Sequence, residues 1–394
     1  MLDPFRTASV AHARGPHSAG TAAFDLIGPD AFLSARREIT TWAGYAPTPL
    51  VELEALADQL SVARVSYKHE GPRFGLGSFK ALGGAYAVLK VLHREVMKQE
   101  GSSVSMADVA SGAYAHIAAK TMVISATDGN HGRSVSWGAQ RFGMPCRIYI
   151  HAEVSEERAE AMRALGANVI RIDGDYDDSV ALTRKEGEEN GWFIVSDTSW
   201  PGYTETPSEV MAGYGVMTHE INEALERAPT HVFLQGGVGG LAASVTAALK
   251  QHWGDECPRV VVVEPELAPC LLMSANAGKA TVAEIEEETL MAGLSCGEPS
   301  KLAWSILEEE ASDFLTIPES VVGPAVRLMA RPFGGDQPLE AGESGIAGLA
   351  GFICAALQDD VRHKIGLNGT SHVLLIGSEG VTDQSLFDRL MAEA

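Results

Sequence analysis

The sequence predicts an α/β protein of two lobes, each a mainly parallel sheet covered by helices, and three observations support that expectation. Short β-branched runs alternate with stretches of helical length from Thr121 onward, as βαβ units do. The alternation stops near Val195 and resumes at His231, so two separate sheets are expected. At 394 residues the chain exceeds what one hydrophobic core usually serves.

In the first series Met122–Ala126 reads as a strand, His131–Phe142 as a helix, Cys146–Ile150 as a strand and Ser155–Leu165 as a helix. A strand at Val169–Ile172, a helix at Asp178–Glu189 and a strand at Trp192–Val195 complete it. The second series has a strand at His231–Gln235, a helix at Leu241–Gln251 and strands at Arg259–Glu264 and His372–Gly377. Strands so uniformly apolar are those buried on both faces. This pattern divides the chain into a larger domain of residues 1–88 and 222–394 and a smaller α/β domain of residues 89–221, with no internal repeat and no low-complexity linker.

Composition narrows the function. A formal charge of −22, with acidic clusters at Glu284–Glu288 and Glu308–Glu310, repels polyanions, so no nucleic-acid partner is expected. Those clusters read as solvated faces. Neither a signal-peptide apolar core in the first 28 residues nor a run able to span a bilayer is found, so no membrane partner and a cytoplasmic location are expected. Five cysteines without a C-x-x-C pair make no disulfide framework and no metal site, and Cys270 and Cys296 read as buried thiols.

Three glycine-rich segments stand at strand ends or helix starts, where open α/β sheets bind ligands. In Gln235-Gly236-Gly237-Val238-Gly239-Gly240 the glycines let backbone N–H groups and a helix N-terminus approach an anion, with phosphate the natural guest. The spacing is neither that of a P-loop nor that of a dinucleotide fingerprint, and a plain strand-to-helix turn is the bland reading. In Gly75-Leu76-Gly77-Ser78-Phe79-Lys80-Ala81-Leu82-Gly83-Gly84 a lone lysine sits among small and apolar residues. Desolvation disfavours its charged form and makes Lys80 a nucleophile candidate, against the commoner reading of a surface lysine at a helix start. In Thr127-Asp128-Gly129-Asn130-His131-Gly132-Arg133 the N–H groups can hold a carboxylate and Asn130 a phenolic oxygen. Here Asp128 competes with a helix N-cap, and His131 with a structural histidine.

Together these segments resemble the fold-type II pyridoxal-phosphate enzymes, and more closely the diaminopropionate ammonia-lyases, from about Tyr45 to Asp383 and in the expected order. Gly44-Tyr45-Ala46-Pro47-Thr48-Pro49-Leu50 resembles the opening of that fold, and Arg73-Phe74-Gly75-Leu76 leading to Phe79-Lys80 its Schiff-base segment. Thr127 to Arg133 matches the ammonia-lyase form, where serine and threonine dehydratases carry Ser-x-Gly-Asn-His; Asp128 distinguishes the two. Asp175-Tyr176-Asp177-Asp178, Asp197 to Tyr203, Gly293 to Pro299, Gly342-Glu343-Ser344-Gly345 and Ser378-Glu379-Gly380 resemble further stretches of that family. The chain departs from it at His69, Gly77, Gly237 and Gly240.

The resemblance implies an active site between the lobes, with the larger domain binding pyridoxal 5'-phosphate. It assigns the Schiff base to Lys80 and further cofactor contacts to Phe79, Asn130, Gly236, Gly237, Val238, Gly239, Gly240 and Ser378, the last facing the pyridine nitrogen. Asp128 and Asp197 join Lys80 as catalytic acid/base groups, and Ser78, Thr127, Asp128, Gly129, His131, Glu298 and Glu343 line the substrate. The implied reaction is loss of ammonia from D- or L-2,3-diaminopropionate to give pyruvate and ammonia, by a homodimer acting on a small amino acid. A serine, threonine or hydroxyaspartate dehydratase is the nearest rival, a catalytically idle cofactor- or amino-acid-binding homologue the rival of another class. A nicotinamide enzyme ranks third, lacking the acidic ribose-binding residue.

Overall fold

The computed structural model describes residues 1–393 except 102, 128 and 175, with Asp177 described by its backbone alone. Numbered along the chain, the strands are β1 (His12–Arg14), β2 (Leu50–Glu52), β3 (Arg64–His69), β4 (Val123–Ala126), β5 (Cys146–Ile150), β6 (Asn168–Arg171), β7 (Phe193–Ile194), β8 (His231–Gln235), β9 (Arg259–Pro265), β10 (Asp313–Ile317) and β11 (His372–Gly377). They form a seven-stranded sheet of order β1-β10-β9-β8-β11-β3-β2 and a four-stranded sheet of order β6-β5-β4-β7. Pairing is parallel throughout except at the two edges of the larger sheet, where β1 and β2 run antiparallel to their neighbours.

Two compact units contain these sheets. The seven-stranded unit gathers Met1–Pro29, Pro47–Ser78 and the chain from Met217 onward; the four-stranded unit gathers Asp30–Ala46 and Phe79–Val216. The divisions thus fall at Ser78 and Val216, not at the expected 88 and 221, and Asp30–Ala46 joins the smaller unit. The reason is tertiary: Trp42 meets Trp137 and Phe142 edge to face, each at 5.8 Å between ring centroids, a contact between remote segments that no local pattern announces.

Strands β8 and β9 are buried along their length or nearly so, which explains the apolar runs 232–234 and 260–263 at their centres. β10 is buried throughout and β3 at all but its two ends, yet both escape a hydrophobicity reading because charged residues leave each only a short apolar run. Lys68 in β3 donates from Nζ to the Thr48 carbonyl at 2.7 Å and to Glu220 Oε2 at 2.6 Å. Asp313 in β10 accepts from Arg259 Nε at 2.6 Å and lies 2.8 Å from His12 Nε2. A buried charge is tolerated when it is paired and hydrogen-bonded in this way.

In the four-stranded unit the helix Lys80–Glu100 packs along the helix Asn130–Phe142. Two glycines permit the close approach. A Cβ on Gly138 would stand 2.7 Å from Ala85 Cα, and one on Gly84 2.4 Å from Ser134 Oγ. Ser134 uses that proximity to donate to the Lys80 carbonyl at 2.6 Å and to accept from Ala85 N at 3.1 Å.

The larger unit contains a closed ionic group of Lys68, Glu70, Arg73 and Glu220, all essentially out of water. Burial works against the Glu220 carboxylate, but hydrogen bonds and charges from Arg73 and Lys68 outweigh it and hold its pKa below the ordinary carboxylate value. Glu220→Ala leaves the buried Lys68 ammonium without its carboxylate and Arg73 with Glu70 alone, and is expected to cost about 3–5 kcal/mol of stability. Urea denaturation followed by tryptophan fluorescence measures it, and a loss below about 1 kcal/mol would show that the group relaxes without its anion.

Candidate active site

In the four-stranded unit the parallel strands deliver two loops at their carboxyl ends. β4 runs into Thr127, whose Oγ1 accepts from Gly129 N and Gly132 N, both at 3.0 Å, and so caps the helix Asn130–Phe142. Asp128, for which capping was weighed, lies outside the described residues, as does Asp175. Asn130 is half-buried on the first turn.

β7 runs into Val195, Ser196 and Asp197. Asp197 Oδ2 is ion-paired and hydrogen-bonded to Lys80 Nζ, the first residue of its helix. Lys80 is 21 % exposed and Asp197 12 %, which sets aside the surface-lysine reading. The ammonium also lies 5.5 Å from the Phe79 ring centroid and 6.0 Å from that of Tyr214. At a helix start the dipole disfavours a cation, so the carboxylate is what steadies it there.

His131 completes the group. Its Nε2 lies 2.9 Å from the Val195 carbonyl, so the proton belongs on Nε2. Its Nδ1, 3.8 Å from Asp197 Oδ2, has no hydrogen-bond partner among the described residues. Burial lowers the His131 pKa and favours the neutral ring, although Asp197 pulls the other way. Burial also opposes the charge on Asp197, but the positive charge His131 carries when protonated and that of Lys80 outweigh it and hold that carboxyl far below the ordinary range.

The loop bearing Asp197 is tied down by a residue that sequence reasoning overlooked. Tyr203 donates from Oη to the Ile194 carbonyl at 2.8 Å and accepts from Ser196 N at 3.1 Å, bracketing the turn before Asp197. Its ring stacks on Trp200 at 4.1 Å, and the Arg184 guanidinium covers Trp200 at 3.8 Å. Tyr203 lay within a family-like stretch, but a phenol in a loop sends no signal about which carbonyl it meets.

The seven-stranded unit has its own strand-end group. After β8 the turn Gly236–Gly239 opens the helix Gly240–Trp253, with Gly237 at φ +59° and Gly239 at φ +94°, conformations that side-chain-bearing residues rarely adopt. Gly236 N is engaged by the Val263 carbonyl at 2.8 Å, while the N–H groups of Gly237 and Val238 have no acceptor among the described residues. At the end of β11 Ser378 is buried. Ser78 bridges to Glu379, and Gly380 N donates to the Gly77 carbonyl at 2.8 Å. Gly77, one of the departures from the family pattern, has φ +81°, a conformation glycine adopts without strain. Glu343 is buried and Glu298 exposed.

Residues 41–376 match the family model described as pyridoxal-phosphate dependent enzyme. The diaminopropionate ammonia-lyase of Escherichia coli (strain K12) is 37 % identical over 353 residues, 86 % of each chain. The chain belongs to the diaminopropionate ammonia-lyase family of pyridoxal-phosphate-dependent enzymes. A crystal structure of the Escherichia coli enzyme in complex with D-serine shares the fold at a TM-score of 0.89 and 34 % identity, covering 98 % of this chain and 97 % of that one. Another, in complex with an aminoacrylate-PLP azomethine reaction intermediate, gives a TM-score of 0.89 at 33 % identity over the same shares.

Pyridoxal phosphate, the cofactor of this family, suits the residues present. The two unclaimed N–H groups, the left-handed glycines and the positive end of a helix form a seat for a phosphate. Lys80 offers a partly exposed primary amine, and Ser378 a buried hydroxyl.

Because the Asp197 pKa is depressed in the folded protein, its contribution to stability is present above the unfolded value of about 4 and lost as pH falls below it. The stability margin of wild type over Asp197→Asn is therefore expected to shrink as pH is lowered from about 5 through the acid range. Urea melts of both proteins across that range check this, and a margin that grew on acidification would contradict the ion pair.

Proposed function

We propose that this pyridoxal-phosphate-dependent lyase removes ammonia from 2,3-diaminopropionate, in its D form, L form or both, giving pyruvate and ammonia. The observation that carries this reading is the Lys80–Asp197 pair, a carboxylate kept ionised beside a reactive amine. A carboxylate so placed attracts a substrate whose second amine is cationic, which serine and threonine lack. Asp128, in the Thr-Asp-Gly-Asn-His form of its motif, supports the same choice from the sequence.

When bound, pyridoxal phosphate supplies an electron sink for the pair left at the substrate α-carbon. Lys80 would hold it through Nζ, with Phe79 alongside; the turn Gly236–Gly240 would take its phosphate, Asn130 its phenolic oxygen and Ser378 its pyridine nitrogen. A neutral hydroxyl at Ser378 suits elimination, which needs no fully protonated ring. Whenever it is not engaged with the cofactor, Lys80 Nζ could take a proton from the substrate Cα or return one to the departing nitrogen. Asp197 takes the proton at Oδ2 from one antipode and Asp128 serves the other. The groups around Asp197 keep it ionised and so free to accept a proton, while the same positive charges lower its basicity for as long as Lys80 stays paired with it. Thr127, Gly129 and His131, with Ser78, Glu298 and Glu343, are the proposed substrate-holding residues. Of these Thr127 and His131 are the most constrained, one by the helix cap and the other by the Val195 carbonyl.

Pyruvate release from D- and L-2,3-diaminopropionate and from D- and L-serine is the deciding assay. Turnover of diaminopropionate at least about tenfold above serine is expected, with Asp128→Asn and Asp197→Asn each lowering kcat by roughly 10²–10⁴-fold and toward opposite antipodes. Lys80→Ala should lose both the visible absorbance of the attached cofactor and the activity. Preference for serine, threonine or hydroxyaspartate transfers the substrate to the dehydratase reading, and a coloured protein that turns over none of them is the idle homologue.

A further inference from the structure

Glu264, at the end of β9, has no part in the chemistry above, yet it is completely buried directly behind the glycine turn. Register explains the position. Gln235 of β8 pairs with Val263 of β9, so the next residue along β9 stands opposite Gly236. A Cβ on Gly236 would meet Glu264 Cγ at 2.4 Å and its carboxyl carbon at 3.3 Å, so the first glycine of the turn is small because this side chain is there. The carboxyl oxygens accept from Leu271 N and Leu272 N, each at 2.8 Å, in the first turn of the helix Cys270–Ala277. Cys270 Sγ lies 3.7 Å from Glu264 Oε1 and 3.6 Å from the Gly237 carbonyl, linking the acid to the turn.

We propose that Glu264 is a positioning residue for the cofactor phosphate, supporting the turn Gly236–Gly237 as an uncharged acid, so that ionisation of this carboxyl loosens the phosphate. The inference rests on reading that turn as the phosphate seat. One thiol hydrogen serves two acceptors in alternation. With the carboxyl protonated its O–H donates to Sγ and the thiol donates to the Gly237 carbonyl; once ionised, the carboxylate draws the thiol hydrogen to itself and releases that carbonyl. The same ionisation places a second negative charge behind the seat of an anion. The groups facing Glu264 are the helix-turn N–H groups and Cys270, with Cys296 beyond it, and none of them is cationic. Burial raises its pKa to about 8, against those hydrogen bonds, which puts the change within reach of ordinary buffers.

Two measurements test this without relying on turnover. In ³¹P NMR of the holoenzyme between about pH 6 and 9.5, the bound phosphate resonance should shift with a midpoint near Glu264's own in wild type and stay flat in Glu264→Gln, beyond any change shared by both. In reconstitution of the apoenzyme followed by absorbance, the Kd for pyridoxal phosphate should weaken about tenfold more in wild type than in Glu264→Gln from pH 7 to 9. Pyridoxal, which lacks the phosphate, should show no such difference between the two proteins. Superimposable pH profiles for wild type and variant overturn the proposal while leaving the phosphate seat intact. Equal affinity of wild type for the two ligands removes the seat, and with it the proposal. Should the variant not fold, a pH-invariant wild-type resonance alone overturns it.

Discussion

Two charges of opposite sign held against one another at low solvent exposure, Lys80 and Asp197, are the constraint on which the four-stranded unit is built. A lysine with four rotatable bonds can wander, and at a helix start it faces the unfavourable end of the dipole. The carboxylate fixes it. The carboxylate in turn stays where it is because Tyr203 grips the carbonyl and N–H on either side of Val195, and because His131 reaches the Val195 carbonyl itself. On the lysine side Ser134 holds the backbone carbonyl, and the glycines between the two helices make that bond possible. Each supporting contact is ordinary; together they leave the reactive pair little freedom.

The seven-stranded unit meets a different requirement, the reception of an anion by backbone groups. Parallel strands end on one edge, so β8 and β11 present Gly236 and Ser378 on the same side of their sheet. Left-handed glycines turn N–H groups away from the ladder, and the helix behind adds its positive end. The buried ionic group around Arg73 lies in the same unit, where Phe74 adopts φ +51°, one of three non-glycine residues in the left-handed region among the described residues. Strain of this kind persists only when its surroundings impose it, and Arg73, tied to Glu70 and Glu220 by short hydrogen bonds, does so.

Between them these arrangements explain why a protein of such negative net charge keeps cations in its interior. Lys68, Arg73 and Lys80 are each matched to a carboxylate at contact distance, so their charges organise local structure. Glu264 differs from the carboxylates of these pairs: it faces no cation among the described residues, and burial raises its pKa to about 8.

Read alone, the sequence determined the elements whose side chains announce their own environment. The mainly apolar strands Cys146–Ile150, His231–Gln235 and His372–Gly377 have the expected bounds, since a sheet covered on both faces selects such runs. The glycine turn and Lys80 were legible because positive φ and a desolvated amine each demand a particular residue type. Tertiary structure decided what depends on partners remote in the chain. It recruited Asp30–Ala46 to the smaller unit through Trp42, admitted charged residues to β3 and β10 by pairing them, and gave the helix cap to Thr127. It also set Tyr203 around Val195 and Glu264 behind Gly236. A hydrogen bond or ion pair across a hundred residues leaves no periodicity to read, because the energy that selects it exists only once the two segments have met.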